Sequence, residues 1–130
     1  MKLVLIADDS KTMRLQLARV VHEVLPQASV AYAVSGAEVL KAWGSDAPPD
    51  LMILDVHMPV LDGLEVLRHM AADAGRRPLV IIYTASRDDV LRQQCLDAGA
   101  TAVVTKSHTD IHAAIRLAMK SPAATAEGEP

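Results

Sequence analysis

The sequence predicts an α/β domain: an open, doubly wound sheet of five parallel strands in the order 2-1-3-4-5, with helices on both faces. Three observations lead there. Five short apolar runs alternate with segments of helical periodicity. The runs at 3, 51 and 79 are apolar without alternation, as befits strands of a parallel sheet covered on both sides. Finally, five βα units in 130 residues are too few to close a barrel, and right-handed crossovers leave few other topologies.

Taken in order, the predicted strands are "LVLIA" (3–7), "ASVAYAV" (28–34), "LMILD" (51–55), "PLVIIYT" (78–84) and "TAVVT" (101–105). After the first strand, Met13, Leu17, Val20, Val21 and Val24 recur at helical spacing until Pro26 ends the pattern. The segments 35–46, 63–72, 87–97 and 109–120 also read as helices, with Ser35, Ser86 and Thr109 as N-caps. Tyr32 and Trp43 are expected to be packing residues, whereas the role of Tyr83 is left more open because it adjoins Thr84. The domain is expected over residues 1–120. The last ten residues, "SPAATAEGEP", lack periodicity and read as a disordered tail or the start of a linker over 121–130.

Composition narrows the function. Apolar residues make up 51% of the chain but aromatics only 2%, so an aliphatic core is expected. Lys+Arg number 13 against 16 Asp+Glu, a formal charge of -3, which lacks the basic footprint of a direct nucleic-acid binder. The single Cys95 can form no internal disulfide, which fits a reducing compartment. No apolar run approaches the ~18 residues of a membrane span, and the short run at the N-terminus meets Asp8 too soon for a signal peptide. The expectation is a soluble cytoplasmic protein with no membrane contact.

In a doubly wound sheet, function sits at the carboxyl ends of the strands. Those ends carry Asp8 and Asp9, Asp55, Thr84 and Lys106. Strands 1 and 3 are neighbours in the expected order, so Asp8, Asp9 and Asp55 converge. Three such carboxylates need a cation or raised pKa values, and Mg²⁺, a hard ion that takes oxygen ligands, suits them. Lys106 and Thr84 add an ammonium and a hydroxyl donor. With a metal, these are parts that stabilise the oxygens of a phosphoryl group in transfer to a carboxylate nucleophile. Asp55, which ends its strand and enters a loop with room around it, is that nucleophile.

The stretches "IADDSKTMR", "MILDVHMPVLDGLEVL", "VIIYTAS" and "DAGATAVVTK" together resemble the receiver domain of bacterial two-component response regulators, over about residues 2–120. The resemblance implies a flavodoxin-like fold whose Asp55 accepts phosphate from a sensor histidine kinase or phosphotransfer protein. It implies Mg²⁺ (or Mn²⁺) held by Asp9, Asp55 and the main-chain carbonyl of His57, with Asp8 acting partly through water. Thr84 and Lys106 become the phosphoryl-sensing hydroxyl and ion-pairing ammonium. His57 and Ser86 become tuners of how readily water hydrolyses the acyl phosphate. Residues 86–120 become the face read by an output partner or effector domain, and a homodimer is compatible with this reading. The chain would be a signalling phosphoacceptor rather than an enzyme, apart from self-catalysed phosphotransfer and dephosphorylation.

The chain departs from the family pattern at three positions. Ser107 follows Lys106 where Pro is usual, which disfavours a cis bond by about 3 kcal/mol. Val103 stands where an aromatic switch residue is common, and His108 where Phe is common. Val103 and Ser107 motivate an alternative, a pseudo-receiver that binds partners constitutively. A haloacid dehalogenase-type aspartyl phosphatase is disfavoured by His57, where that family has a second Asp, and by the order of its motifs. His57 as a direct ligand, and His108 with His112 as a zinc pair, are weaker readings than exposed positions, since Mg²⁺ prefers oxygen and no third zinc ligand is evident. Pro59 and the Asp62-Gly63 pair read as turn residues shaping the loop after Asp55.

Overall fold

The computed structural model describes residues 2–59, 61–72, 78–85 and 88–120, and the backbone alone of His108. Its elements run β1 (Leu3–Ala7), α1 (Lys11–Val24), β2 (Ser29–Ala33), α2 (Gly36–Trp43), β3 (Leu51–Asp55), α3 (Gly63–Ala71), β4 (Leu79–Thr84), α4 (Asp89–Asp97), β5 (Ala102–Thr105) and α5 (His108–Met119). The strands form one parallel sheet in the order β2-β1-β3-β4-β5, the order expected from the sequence. The expected tail, 121–130, lies outside the described residues.

The three uninterrupted apolar runs are the three interior strands. β3 is buried throughout, and β1 and β4 from their second residues onward, whereas the edge strands β2 and β5 are only partly covered. Alternation along each strand separates two cores. Leu5, Met52, Leu54 and Ile82 face α2, α3 and α4. Val4, Ile6, Ile53, Ile81 and Tyr83 face α1 and α5. Burying a large aliphatic side chain is worth roughly 1.5–3 kcal/mol, so aliphatic residues carry most of the packing. Trp43 packs against the first core as expected. Tyr32 does not: it is 47% exposed, because it lies on the edge strand β2.

Two N-caps differ from expectation. The α4 cap is Asp88, whose Oδ1 accepts from the N–H groups of Val90 and Leu91, so Ser86 lies two residues ahead of it and outside the described residues. The α5 cap is Ser107, whose hydroxyl oxygen accepts from Asp110 N–H, and Thr109 sits inside the first turn. In both cases the helix begins at the side chain able to reach a free amide two or three residues on. Ser35 caps α2 as expected, accepting from Glu38 N–H.

Two close approaches lock the loop after β3. A Cβ on Gly63 would lie 3.0 Å from the Asp55 carbonyl oxygen, and one on Gly36 would lie within 2.8 Å of three Leu61 atoms. A side chain at 63 would press α3 away from the end of β3 by a few tenths of an ångström. Asp62 and Glu65 close a capping box there, and Gly63 N–H donates to the Val56 carbonyl at 2.9 Å. The loop from Asp55 to α3 is therefore short, cap-stabilised and backed by backbone on both sides.

Candidate functional site

The carboxyl ends of β1, β3, β4 and β5 bring the sequence-selected residues together. One oxygen from each of Asp8, Asp9 and Asp55 lies within 4.8 Å of the others. Asp8 and Asp55 are buried, at 1% and 3% exposure, and Asp9 is the exposed member. This corrects the expectation of room around Asp55: the aliphatic sheet continues to its last residue, and the loop that follows is held close by Gly63. Lys106 Nζ stands 3.1 Å from Asp55 Oδ2, and the His57 N–H donates to Asp55 Oδ1 at 3.0 Å. His57 itself is exposed.

Thr84 ends β4 and is buried, in register with Thr105 on β5. Its carbonyl accepts from Lys106 N–H at 3.2 Å, so the hydroxyl-bearing and ammonium-bearing positions are tied through the main chain. Beside Thr84 a cavity of about 330 Å³ opens under the first turn of α4, floored by Val56, Ile82, Cys95 and Val103. Arg92 Nη1 crosses this region to donate to the Val103 carbonyl at 2.6 Å. Burial, above all, pushes the Cys95 thiol up, with the charge of Asp62 adding to it.

Asp55 pays for its burial with a carboxyl pushed above its ordinary value. The His57 N–H and the Lys106 ammonium offset part of that rise, and the charge of Asp8 adds to it. An all-oxygen donor set with two buried carboxylates and one exposed fits a hard divalent cation, because such an ion relieves their mutual repulsion and accepts water at its open positions.

Two contributors were not selected from the sequence. Tyr83, whose role the sequence left open, is fully buried, and its hydroxyl donates to Asp8 Oδ2 at 2.5 Å. Its in-phase signal was available: an aromatic at a buried strand end, on the same face as Ile81 and in register with Asp55. Burial and the Asp8 carboxylate hold the phenol proton far above its ordinary range. Arg14, one turn into α1, donates from Nη1 to the Asp8 carbonyl at 2.8 Å.

The chain matches the response regulator receiver domain family over residues 4–116, and it belongs to that family. It is 38% identical over 112 residues to protein-glutamate methylesterase/protein-glutamine glutaminase 3 of Hahella chejuensis, a match covering 84% of this chain and 31% of that protein. The chain thus spans less than a third of that relative's length. Among solved structures, the signal receiver domain of a Luxo repressor protein from Vibrio parahaemolyticus superposes with a TM-score of 0.84 at 22% identity, covering 98% of this chain and 95% of that one. The Mn²⁺-bound form of response regulator Rcp1 superposes with a TM-score of 0.71 at 23% identity, covering 89% and 90%. These two likenesses establish the fold. A receiver domain is a signalling module of two-component systems, and no described helix is long and apolar enough to cross a membrane.

Proposed function

We propose that this receiver domain is a phosphorylation-dependent switch with Asp55 as its phosphoacceptor. The observation that carries the reading is the double engagement of Asp55: Lys106 Nζ on one oxygen, and oxygens of Asp8 and Asp9 within 4.8 Å. A carboxylate oxygen of Asp55 attacks the phosphorus of a phosphohistidine on a sensor histidine kinase or phosphotransfer protein. The P–N bond breaks, its electron pair leaves with the imidazole nitrogen, and an acyl phosphate forms. Lys106 and Thr84 then face the phosphoryl oxygens, the ammonium countering their charge and the hydroxyl donating to one of them.

Asp8, Asp9, Asp55 and the His57 carbonyl would hold Mg²⁺ (or Mn²⁺), which supplies charge neutralisation for the carboxylates and the phosphoryl oxygens. The oxygen-only donor set of the carboxylate cluster supports this assignment. His57, exposed next to Asp55, would tune the access of hydrolytic water, and Ser86 would share that role. Self-catalysed phosphotransfer and hydrolysis would be the domain's only chemistry. An output partner or an effector domain would read residues 86–120; the chain covers 31% of a relative named as a methylesterase/glutaminase, which leaves room for such a domain there. The protein would work in the cytoplasm.

Incubation with Mg²⁺ and acetyl phosphate or phosphoramidate, followed by intact mass measurement, tests the reading. One added phosphate is expected on the native chain and none on Asp55→Asn. Absence of the adduct would favour a constitutive pseudo-receiver, an adduct on Asp55→Asn would sink the assignment, and rapid turnover of a generic phosphoester would favour a phosphatase.

A further inference from the structure

Tyr83 belongs to β4, yet its hydroxyl reaches past β3 to β1, where it donates to Asp8 Oδ2 at 2.5 Å and approaches the Ala7 carbonyl at 3.3 Å. On the way its ring passes near the ammonium of Lys106, whose Nζ lies 5.4 Å from the ring centroid. One buried side chain therefore touches both the acidic pair's inner member and the cation opposite it.

Asp8 is restrained from every side. Its N–H donates to the Ala33 carbonyl at 3.1 Å, and its own carbonyl accepts from Arg14. Its Oδ1 accepts from Ser10 N–H at 2.8 Å, which leaves Oδ2 to the phenol. A carboxylate offers about four lone-pair sites, so each oxygen keeps acceptor capacity after taking one donor. Its orientation, however, is decided by those two donors. The Ser10 amide is fixed by the backbone at the start of α1, so the phenol is the only one of the two that a side-chain change can remove.

We propose, on the reading of the acidic cluster as a cation site, that Tyr83 is a positioning residue for the cation: its hydroxyl sets the carboxylate plane of Asp8 toward Asp9 and Asp55. Residues that orient ligating carboxylates and histidines commonly carry a tenfold or larger share of metal affinity (~10–100-fold). The ring separates this role from the phosphoryl side, because a phenylalanine keeps the contact under Lys106 while losing the hydroxyl.

The test is a Mg²⁺ titration of the full chain by calorimetry, without phosphoryl donor, on the native protein and on Tyr83→Phe. Weakening of Mg²⁺ binding by about tenfold is expected, with the far-ultraviolet circular dichroism of the metal-free protein unchanged. That split distinguishes orientation of Asp8 from general damage to the fold. The chain has 2 tyrosines, so in Tyr32→Phe the near-ultraviolet tyrosine signal comes from Tyr83 alone, and it should follow Mg²⁺ occupancy with the calorimetric midpoint. Equal Mg²⁺ affinity in Tyr83→Phe, or a tyrosine spectrum indifferent to Mg²⁺, overturns the inference while leaving the switch reading intact. If Tyr83→Phe does not fold, the spectrum of Tyr32→Phe decides alone. A native chain that binds no Mg²⁺ overturns the inference together with the cation site on which it rests.

Discussion

Helix α4 is packed to a different standard from α1 and α5. Against one face of the sheet, α1 buries Leu17, Val20 and Val21, and α5 buries Ile111, Ala114 and Ile115. Against the other, the only buried residue of α4 is Cys95, and a cavity of about 330 Å³ lies beneath its first turn. Asp8 is bonded by Tyr83, whose ring is part of the core under α1 and α5. Thr84 borders the cavity instead. The difference teaches which part of the site is built to keep its shape and which has room to change it. On the proposed reading, the cation ligands would need to be fixed, whereas the signal would need an element whose packing can take two arrangements at small cost.

The largest effect should come from α5. Ile115→Ala should lower stability by about 2–5 kcal/mol, and Cys95→Ala by about 1 kcal/mol, close to the value of one buried methylene-sized group. Urea denaturation measures both, and equal losses would erase the contrast between α5 and α4. Next is a pH effect at Asp55, whose carboxyl is raised chiefly by burial. A raised carboxyl binds its proton more tightly in the native state than in the unfolded one. Its stabilising contribution is thus complete below the unfolded value of 3.8 and is lost as pH rises through the higher native value. Without metal, the native chain should lose stability relative to Asp55→Asn as pH rises across that window. Chelated samples denatured at acidic and neutral pH check this, and a pH-independent difference would contradict the burial of the charge.

The smallest effect is the most diagnostic of the loose side. Val103→Leu extends a side chain that borders the cavity and should raise stability by up to about 1 kcal/mol. A loss of about 1–3 kcal/mol, the cost of overpacking, would mean that the space under α4 is closed in solution.

Much of this was legible in the chain. Unbroken apolar runs at 3, 51 and 79 marked the interior strands because burial on both faces leaves no polar alternation. Asp8, Asp9, Asp55 and Lys106 came together as expected because all four lie at or just past the carboxyl ends of strands in one parallel sheet. Helix starts were less legible. Asp88 and Ser107 took the caps from Ser86 and Thr109, since neighbouring polar residues compete for the same free amides and differences of about 1 kcal/mol decide among them.

By itself, then, the sequence determined the order of elements, the interior strands and the residues at the sheet's carboxyl edge, because period and strand phase are properties of a few consecutive residues. Tertiary structure alone decided that Asp55 is buried while Asp9 is exposed, that Tyr83 bonds an aspartate 75 residues away, and that α4 rides over a cavity. Those outcomes depend on which strands become neighbours and how completely helices cover them. Neither quantity is contained in any local stretch of the chain.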